Sequence, residues 1–216
     1  MNKLLIPKIP QNVARADFDA VSDYLQKQPP QPINIINWAT YLYRPEVTFR
    51  MMYDDFAFYI RFDVKEKHIR ARATENNSQV CSDSCLELFL SPENNDEYYN
   101  LEINCIGTKL FKCRKEGTHP ELASEEVISK IRCRSSLGNL PFEEKKGEFT
   151  WNMIVIIPFE TYWKHRIKPV TGLKMSGNLY KCGDELSEPH YLSWNKIDTE
   201  TPSFHKPRFF GGFELG

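Results

Sequence analysis

Apolar and polar residues alternate in step on either side of a polar break between Asp83 and Cys105. Leu86, Leu88 and Leu90 alternate with Cys85, Glu87 and Phe89. Beyond the break, Tyr99, Leu101, Ile103 and Cys105 alternate with Asn100, Glu102 and Asn104. Side chains in a strand change face at every residue. The pattern therefore predicts two strands, each with an apolar face that seals a core. The intervening SPENNDEY carries turn formers, which makes the strands antiparallel neighbours. Their other face gathers Glu87, Asn100, Glu102 and Asn104. Strands tend to exclude Glu and Asn. This row is thus either a solvated sheet face or a surface that mixes acceptors with donors and suits a polyhydroxylated ligand.

The same reading runs along the rest of the chain. Residues 56–64 alternate most cleanly, with Phe56, Phe58, Ile60 and Phe62 on one face and Tyr59, Arg61 and Asp63 on the other. Further strands are predicted over 33–38, 47–52, 109–114, 127–135, 149–157, 172–180, 191–194 and 209–215. Lys130, Arg132 and Arg134 share a polar face, and 149–157 has so little polar content that it should be covered on both faces. Residues 1–16 read as an extended entry segment, because Pro7 and Pro10 oppose helix. Asp17 caps a short helix running to Gln28, with Phe18, Val21 and Leu25 on one stripe. Pro158 opens a helical turn. Residues 65–82, 116–126 and 137–147 lack clean periodicity and read as loops. Many short strands with two helical turns predict an all-β chain. We expect one antiparallel β-sandwich domain over 1–216, of the immunoglobulin-like or jelly-roll type, with 1–33 as entry segment and helix.

Length and charge narrow the classes. The chain has 216 residues, enough for one large domain with a sizeable core. Its net charge of -1 provides no field to attract nucleic acid or an acidic membrane surface. No apolar run approaches the ~18 residues of a membrane span. The apolar patch in MNKLLIPKIP is too short for a signal-peptide core. The expected compartment is the cytoplasm, or the periplasm or exterior if a leader has been removed.

Cys81, Cys85, Cys105, Cys113, Cys133 and Cys182 form no CxxC pair and no zinc spacing with histidine. They read as reduced thiols. The five histidines make no HExxH, and no GxSxG, P-loop or GxGxxG is present. No cofactor is expected beyond a structural calcium, for which the loop Glu93–Asn94–Asn95–Asp96 offers oxygens.

Two constellations carry candidate chemistry. Glu87 and Glu102 on adjacent strands could flank a scissile glycosidic bond, but a hydrolase also needs a site that separates the two pKa values. Aromatic rings pack against the apolar face of a sugar. Trp194 shares its face with Leu192 and reads as core, whereas Phe204, between two prolines in TPSFHKP, sits in a stiff loop that is an odd place for a core ring and reads as either an exposed platform or a buried ring.

DSCLELFLSP, YYNLEINCIG, SGNLYKCG and YLSWNKIDTETPSFHKPRFFGGFEL, in that order and spacing, resemble the family 9 carbohydrate-binding modules and similar single-domain, DOMON-like proteins. The resemblance reaches back through Trp38 and PEVTFRMMYDDFAFYIRFDV, so it covers nearly everything from Asn34. It implies a β-sandwich that binds sugars without catalysis, gripping chain ends between two tryptophans. By position, the family's strand glutamate falls on Glu87 and the amide of the next strand on Asn104. A later polar pair falls on Ser176 and Asn178, and one tryptophan on Phe204. Where the other tryptophan belongs, this chain reads Gln79–Val80–Cys81, without a ring. With Glu102 from the polar sheet face, these residues form the expected carbohydrate site. The expected ligand is a xylan- or glucan-derived oligosaccharide, with a place in polysaccharide breakdown. The alternatives are a protein-interaction sandwich that has lost the sugar site, with a protein partner, and a glycosidase using Glu87 and Glu102.

Overall fold

A computed structural model describes residues 1–14 and 17–216, and within them the alternating segments pair into two sheets. In chain order the strands are β1 (Lys3–Ile6), β2 (Gln31–Pro32), β3 (Ile35–Ile36), β4 (Glu46–Tyr53), β5 (Ala57–Ala71), β6 (Cys85–Ser91) and β7 (Glu97–Asn104). There follow β8 (Lys109–Lys115), β9 (Glu121–Leu122), β10 (Arg132–Ser135), β11 (Phe142–Pro158), β12 (Lys174–Cys182), β13 (Tyr191–Ser193) and β14 (Gly211–Leu215). One sheet runs β1-β14-β12-β6-β7-β8-β9, with β13 on β12 and β3 on β13; the other runs β10-β11-β5-β4-β2. β1 pairs with β14 in parallel, and β6, β7 and β12 pair antiparallel. The helices are α1 (Gln11–Ala14), α2 (Phe18–Gln26) and α3 (Glu125–Ile128).

The two sheets face each other as the alternation requires. Leu86, Leu88 and Leu90 of β6 and Leu101 and Ile103 of β7 meet Phe58, Ile60, Phe62 and Val64 of β5 and Trp151, Met153 and Val155 of β11. This is the β-sandwich expected from the sequence. Asp17 caps α2 by accepting from the Ala20 amide at 2.9 Å. α2 then lays Val21 and Leu25 on Tyr59, Ile154 and Ile156, so β11 is covered on both sides. Trp194 is core, as expected.

Several boundaries differ from the sequence reading, each for a physical reason. Phe56 is 68% exposed and stands before β5 rather than in it. β5 runs on to Ala71, through residues expected to form a loop, because its polar residues find partners inside. Glu66 follows Val64 on the core-facing side, and there its Oε2 lies 2.9 Å from Lys181 Nζ of the facing sheet. Trp151 Nε1 donates to Glu66 Oε1 at 2.8 Å. Arg70 reaches Asp83 Oδ1 at 3.1 Å and the Ser82 carbonyl at 2.8 Å. β11 likewise takes up most of the 137–147 loop, pairing with β5 through register shifts beside Lys145 and Phe149. In the 127–135 stretch α3 ends at Ile128 and β10 begins at Arg132, where Arg132 and Arg134 cover the Phe18 ring. Of the predicted strand over 33–38 only β3 (Ile35–Ile36) forms, because the chain crosses here from β2 on β4 in one sheet to β3 on β13 in the other. The entry segment contains β1 and α1; its residues 15–16 lie outside the described residues.

Candidate functional site

The polar row of β6 and β7 faces away from the core, on the outer side of the larger sheet. Register sets its geometry. Glu87 pairs with Glu102 on β7 and with Tyr180 on β12, and Cys85 pairs with Asn104 and with Cys182. Two adjacent rows result, Tyr180–Glu87–Glu102 and Cys182–Cys85–Asn104. This face is not solvated. Glu87 and Glu102 are 4% and 6% exposed.

The chain between β13 and β14 covers it. Phe204 stacks flat on Tyr180, and the Tyr180 hydroxyl donates to the Phe204 carbonyl at 3.3 Å. His205 stacks on Phe89 with centroids 5.1 Å apart, and its Nδ1 lies 3.1 Å from the Tyr98 hydroxyl. Trp38 lies against Phe204, and its indole N–H donates to the Thr199 carbonyl at 2.9 Å. Between this cover and the sheet remains a cleft of about 200 Å³, lined by Cys81, Glu87, Glu102, Cys182, Asp184, Tyr191 and residues 202–205.

Burial controls its electrostatics. Glu87 is pushed well above the usual carboxylate range by burial and by Glu102 opposite, while Cys182 Sγ donates to its Oε1 at 3.0 Å. Burial raises Glu102 to about 7, against the pull of Lys112 and Arg114. Asn100 links that pull to the acid. Its Nδ2 donates to Glu102 Oε1 at 2.6 Å, and its Oδ1 accepts from Arg114 Nε at 3.0 Å. Burial also raises Asp184. The thiol of Cys85 is pushed up to about 12 by burial, and that of Cys182 is raised by its contact with Cys85 and by burial. His205 is pushed down to about 3 by burial, so its ring is neutral. The cleft thus presents carboxyls raised by burial, thiols and a neutral imidazole, groups that both donate and accept.

The structure gathers Glu87, Glu102 and Phe204 of the sequence-derived candidates. Phe204 is the buried ring of its two readings, not an exposed platform. It is 9% exposed, and Tyr180 covers one face, so it is a wall of the cleft. Asn104 and Asn178 are fully buried and engaged internally. Asn104 Nδ2 donates to Ala73 O and Asp83 Oδ2, both at 2.9 Å, and Oδ1 accepts from the Thr108 amide at 2.9 Å. Asn178 holds Asn195 by both backbone groups, at 3.0 and 2.8 Å. Ser176 lies elsewhere, in a groove of about 620 Å³ between β1, β12 and β14 that Leu5, Lys174 and Arg208 also line. That groove is larger, and Asn94, Asn95, Asp96 and Glu214 line it beside Leu4, Met175 and Phe213. In the Glu93–Asp96 loop, the calcium candidate, Asn95 Oδ1 accepts from the Glu97 amide at 2.9 Å and closes the turn.

Sequence reasoning missed Cys81, Cys182, Asp184, Tyr191 and His205. Cys182 alone left a trace: Ser176, Asn178, Tyr180 and Cys182 alternate along one face of β12. The Gln79–Val80–Cys81 position, which lacks a ring, forms a short 3-10 turn over Val80–Ser82 that brings the Cys81 side chain into the cleft.

The model of carbohydrate-binding family 9 matches residues 19–215. A crystal structure of a protein from Bacteroides uniformis, provisionally assigned as carbohydrate-binding, is 37% identical, with a TM-score of 0.93 over 99% of each chain. A family 9 module from Caldicellulosiruptor kristjanssonii in complex with glucose is 14% identical, with a TM-score of 0.61 over 100% of this chain and 96% of that one. The same organism's module in complex with cellotriose is 15% identical, with a TM-score of 0.61 over 99% of this chain and 93% of that one. At such identities these two modules share the fold alone. No curated protein matches the chain.

Proposed function

This chain belongs to carbohydrate-binding family 9, and from that premise we propose that it binds carbohydrate in the cleft beside Phe204 without catalysing a reaction. One observation carries the reading. Carboxyl groups of Glu87, Glu102 and Asp184 converge with the Phe204 and Tyr191 side chains in a single cleft on the outer sheet face. The carboxyl oxygens take the hydroxyls of a sugar, and the ring edges meet its C–H surface.

The ligand class is a gluco- or xylo-oligosaccharide, supported by the glucose and cellotriose held by the C. kristjanssonii module. About 200 Å³ is below the ~300–1,000 Å³ of common small-molecule pockets. The cleft therefore takes one terminal ring rather than a length of chain. Such a place at chain ends fits a protein that collects the products of polysaccharide breakdown.

Cross-strand neighbours such as Glu87 and Glu102 are close enough for a glycosidase pair. They share one environment, however, which raises both. Hydrolysis needs environments that divide an acid from an ionised nucleophile or base, whereas burial raises both carboxyls here.

Titration calorimetry with cello- and xylo-oligosaccharides tests the proposal. A Kd near ~1 mM, about −4 kcal/mol, is expected for one ring. Glu87→Gln and Phe204→Ala should each weaken it at least tenfold. Unchanged binding in both folded variants would move the site elsewhere. A protein partner is the second reading, favoured by the larger groove, where Leu5 stands 65% exposed. Silence toward all saccharides, with a partner lost in Leu5→Glu, would establish it.

A further inference from the structure

Among the described residues, one group of His, Cys, Asp or Glu side chains brings three metal-capable atoms within 4.8 Å of one another: Cys85, Glu87 and Cys182. The sheet builds this group. Cys85 and Cys182 are cross-strand partners, and Glu87, two residues beyond Cys85, points to the same face. The Cys182 sulfur is 3.0 Å from Glu87 Oε1. Two ligands of one tetrahedral zinc ion stand about 3.4–3.8 Å apart, given Zn–S and Zn–O bonds of ~2.3 and ~2.1 Å. Small adjustments of side-chain torsions separate the present arrangement from that geometry.

The surroundings point the same way. Glu87 is 4% exposed, and among the described residues no lysine or arginine forms an ion pair with it. Lys181, adjacent to Cys182, points to the opposite face and pairs with Glu66. Asp184 adds a further carboxyl to the lining of the same cleft. A cluster of thiols and acids with no cation is costly to ionise when buried, and a dication removes that cost by direct bonds. Glu87 and Cys182 also line the cleft, which gives an ion its way in.

We propose that Cys85, Cys182 and Glu87 bind a thiophilic divalent cation, zinc(II) in particular, at the floor of this cleft, with Asp184 or a water as fourth ligand. Binding transfers the two thiol protons and the carboxyl proton to solvent. The ion is then held by two thiolates and a carboxylate. Thiolate ligands select zinc over calcium or magnesium. The site shares Glu87 with the saccharide cleft, but its occupancy is measured without sugar.

The test uses the reduced full chain. Zinc(II) is titrated against a chromophoric chelator, and cobalt(II) is added as a spectroscopic probe. One equivalent of zinc and a thiolate-to-cobalt charge-transfer band are expected. Cys85→Ser and Cys182→Ser should each weaken zinc at least about tenfold and diminish the band. Glu87→Gln should weaken zinc and leave the band. Cys113→Ser, remote from the cluster, should change neither. If the cysteine variants do not fold, the cadmium-113 resonance of the unmodified chain counts thiolate ligands directly, with two expected. Failure to bind zinc stoichiometrically at micromolar concentration, a cobalt band that survives loss of both cysteines, or an all-oxygen cadmium shift would overturn the proposal.

Discussion

The ring of Phe204 lies face to face on Tyr180, with centroids 4.1 Å apart and planes 11° from parallel, and Tyr180 is the cross-strand neighbour of Glu87. The covering segment is therefore fastened to the same row of the sheet that carries the acid. Cleft and cover form one packed unit. Phe204→Ala removes that fastening and should destabilise the fold by ~3 kcal/mol, the lower end for a buried phenylalanine, as its segment can relax. Phe204→Leu keeps most of the burial and loses chiefly the ring stacking, about 1 kcal/mol. Urea unfolding separates the two, and hydrogen exchange should quicken across residues 197–206 in the alanine variant alone.

Asn104 supports the site from the adjacent row of the same sheet face. Its side chain holds the Ala73 carbonyl, Asp83 and the Thr108 amide. Asn104→Ala leaves buried groups without partners and should cost about 1–3 kcal/mol. Saccharide affinity measured on the folded fraction should stay as it is. A large loss of affinity at unchanged stability would instead make Asn104 a ligand contact.

The pair Lys181–Glu66 crosses the core with both side chains at 0% exposure. Lys181 Nζ also lies 2.8 Å from His190 Nε2, whose imidazole is held neutral by burial. Lys181→Met strands a buried carboxylate and should destabilise by ~3–5 kcal/mol. Adding Glu66→Gln neutralises that charge, and its amide oxygen can still accept from Trp151. The double variant should recover most of the loss in denaturant unfolding. Equal instability of single and double variants would show that the pair itself, rather than the stranded charge, matters.

Acid stability should depend on Glu102. Its carboxyl keeps its proton to about 7 in the fold, against a usual value of 4.5. Between those values the folded chain binds more protons than the unfolded one, so this group lowers stability as pH rises through the window. The slope is at most ~1.4 kcal/mol per pH unit for one proton. Glu87 opposite is raised too, so the two titrate as a pair. His205, held down to about 3, acts oppositely: stability falls as pH drops below 6.5 and the unfolded imidazole takes a proton. Melting temperature against pH for Glu102→Gln, compared with the unaltered chain, isolates the acid. The variant should gain relative stability from pH 5 to 7.

The sequence by itself determined what depends on neighbours along the chain. Alternation over Phe58–Val64 and Leu86–Leu90 sets which side chains face the core, because a strand turns each successive residue to the other side. Asp17 as a cap and the hairpin between β6 and β7 follow from the same local rules, and so does the outward row of Glu87 and Glu102. Only the tertiary structure decided what lies across from each residue. Polar Glu66 could join a strand because Lys181, over a hundred residues later, arrives opposite it. Cys85 meets Cys182 through the pairing of β6 with β12, and Phe204, from the segment after β13, turns inward onto Tyr180. No spacing along the chain records that register. It is set by two apolar faces closing on one core, which aligns every outward side chain as a consequence.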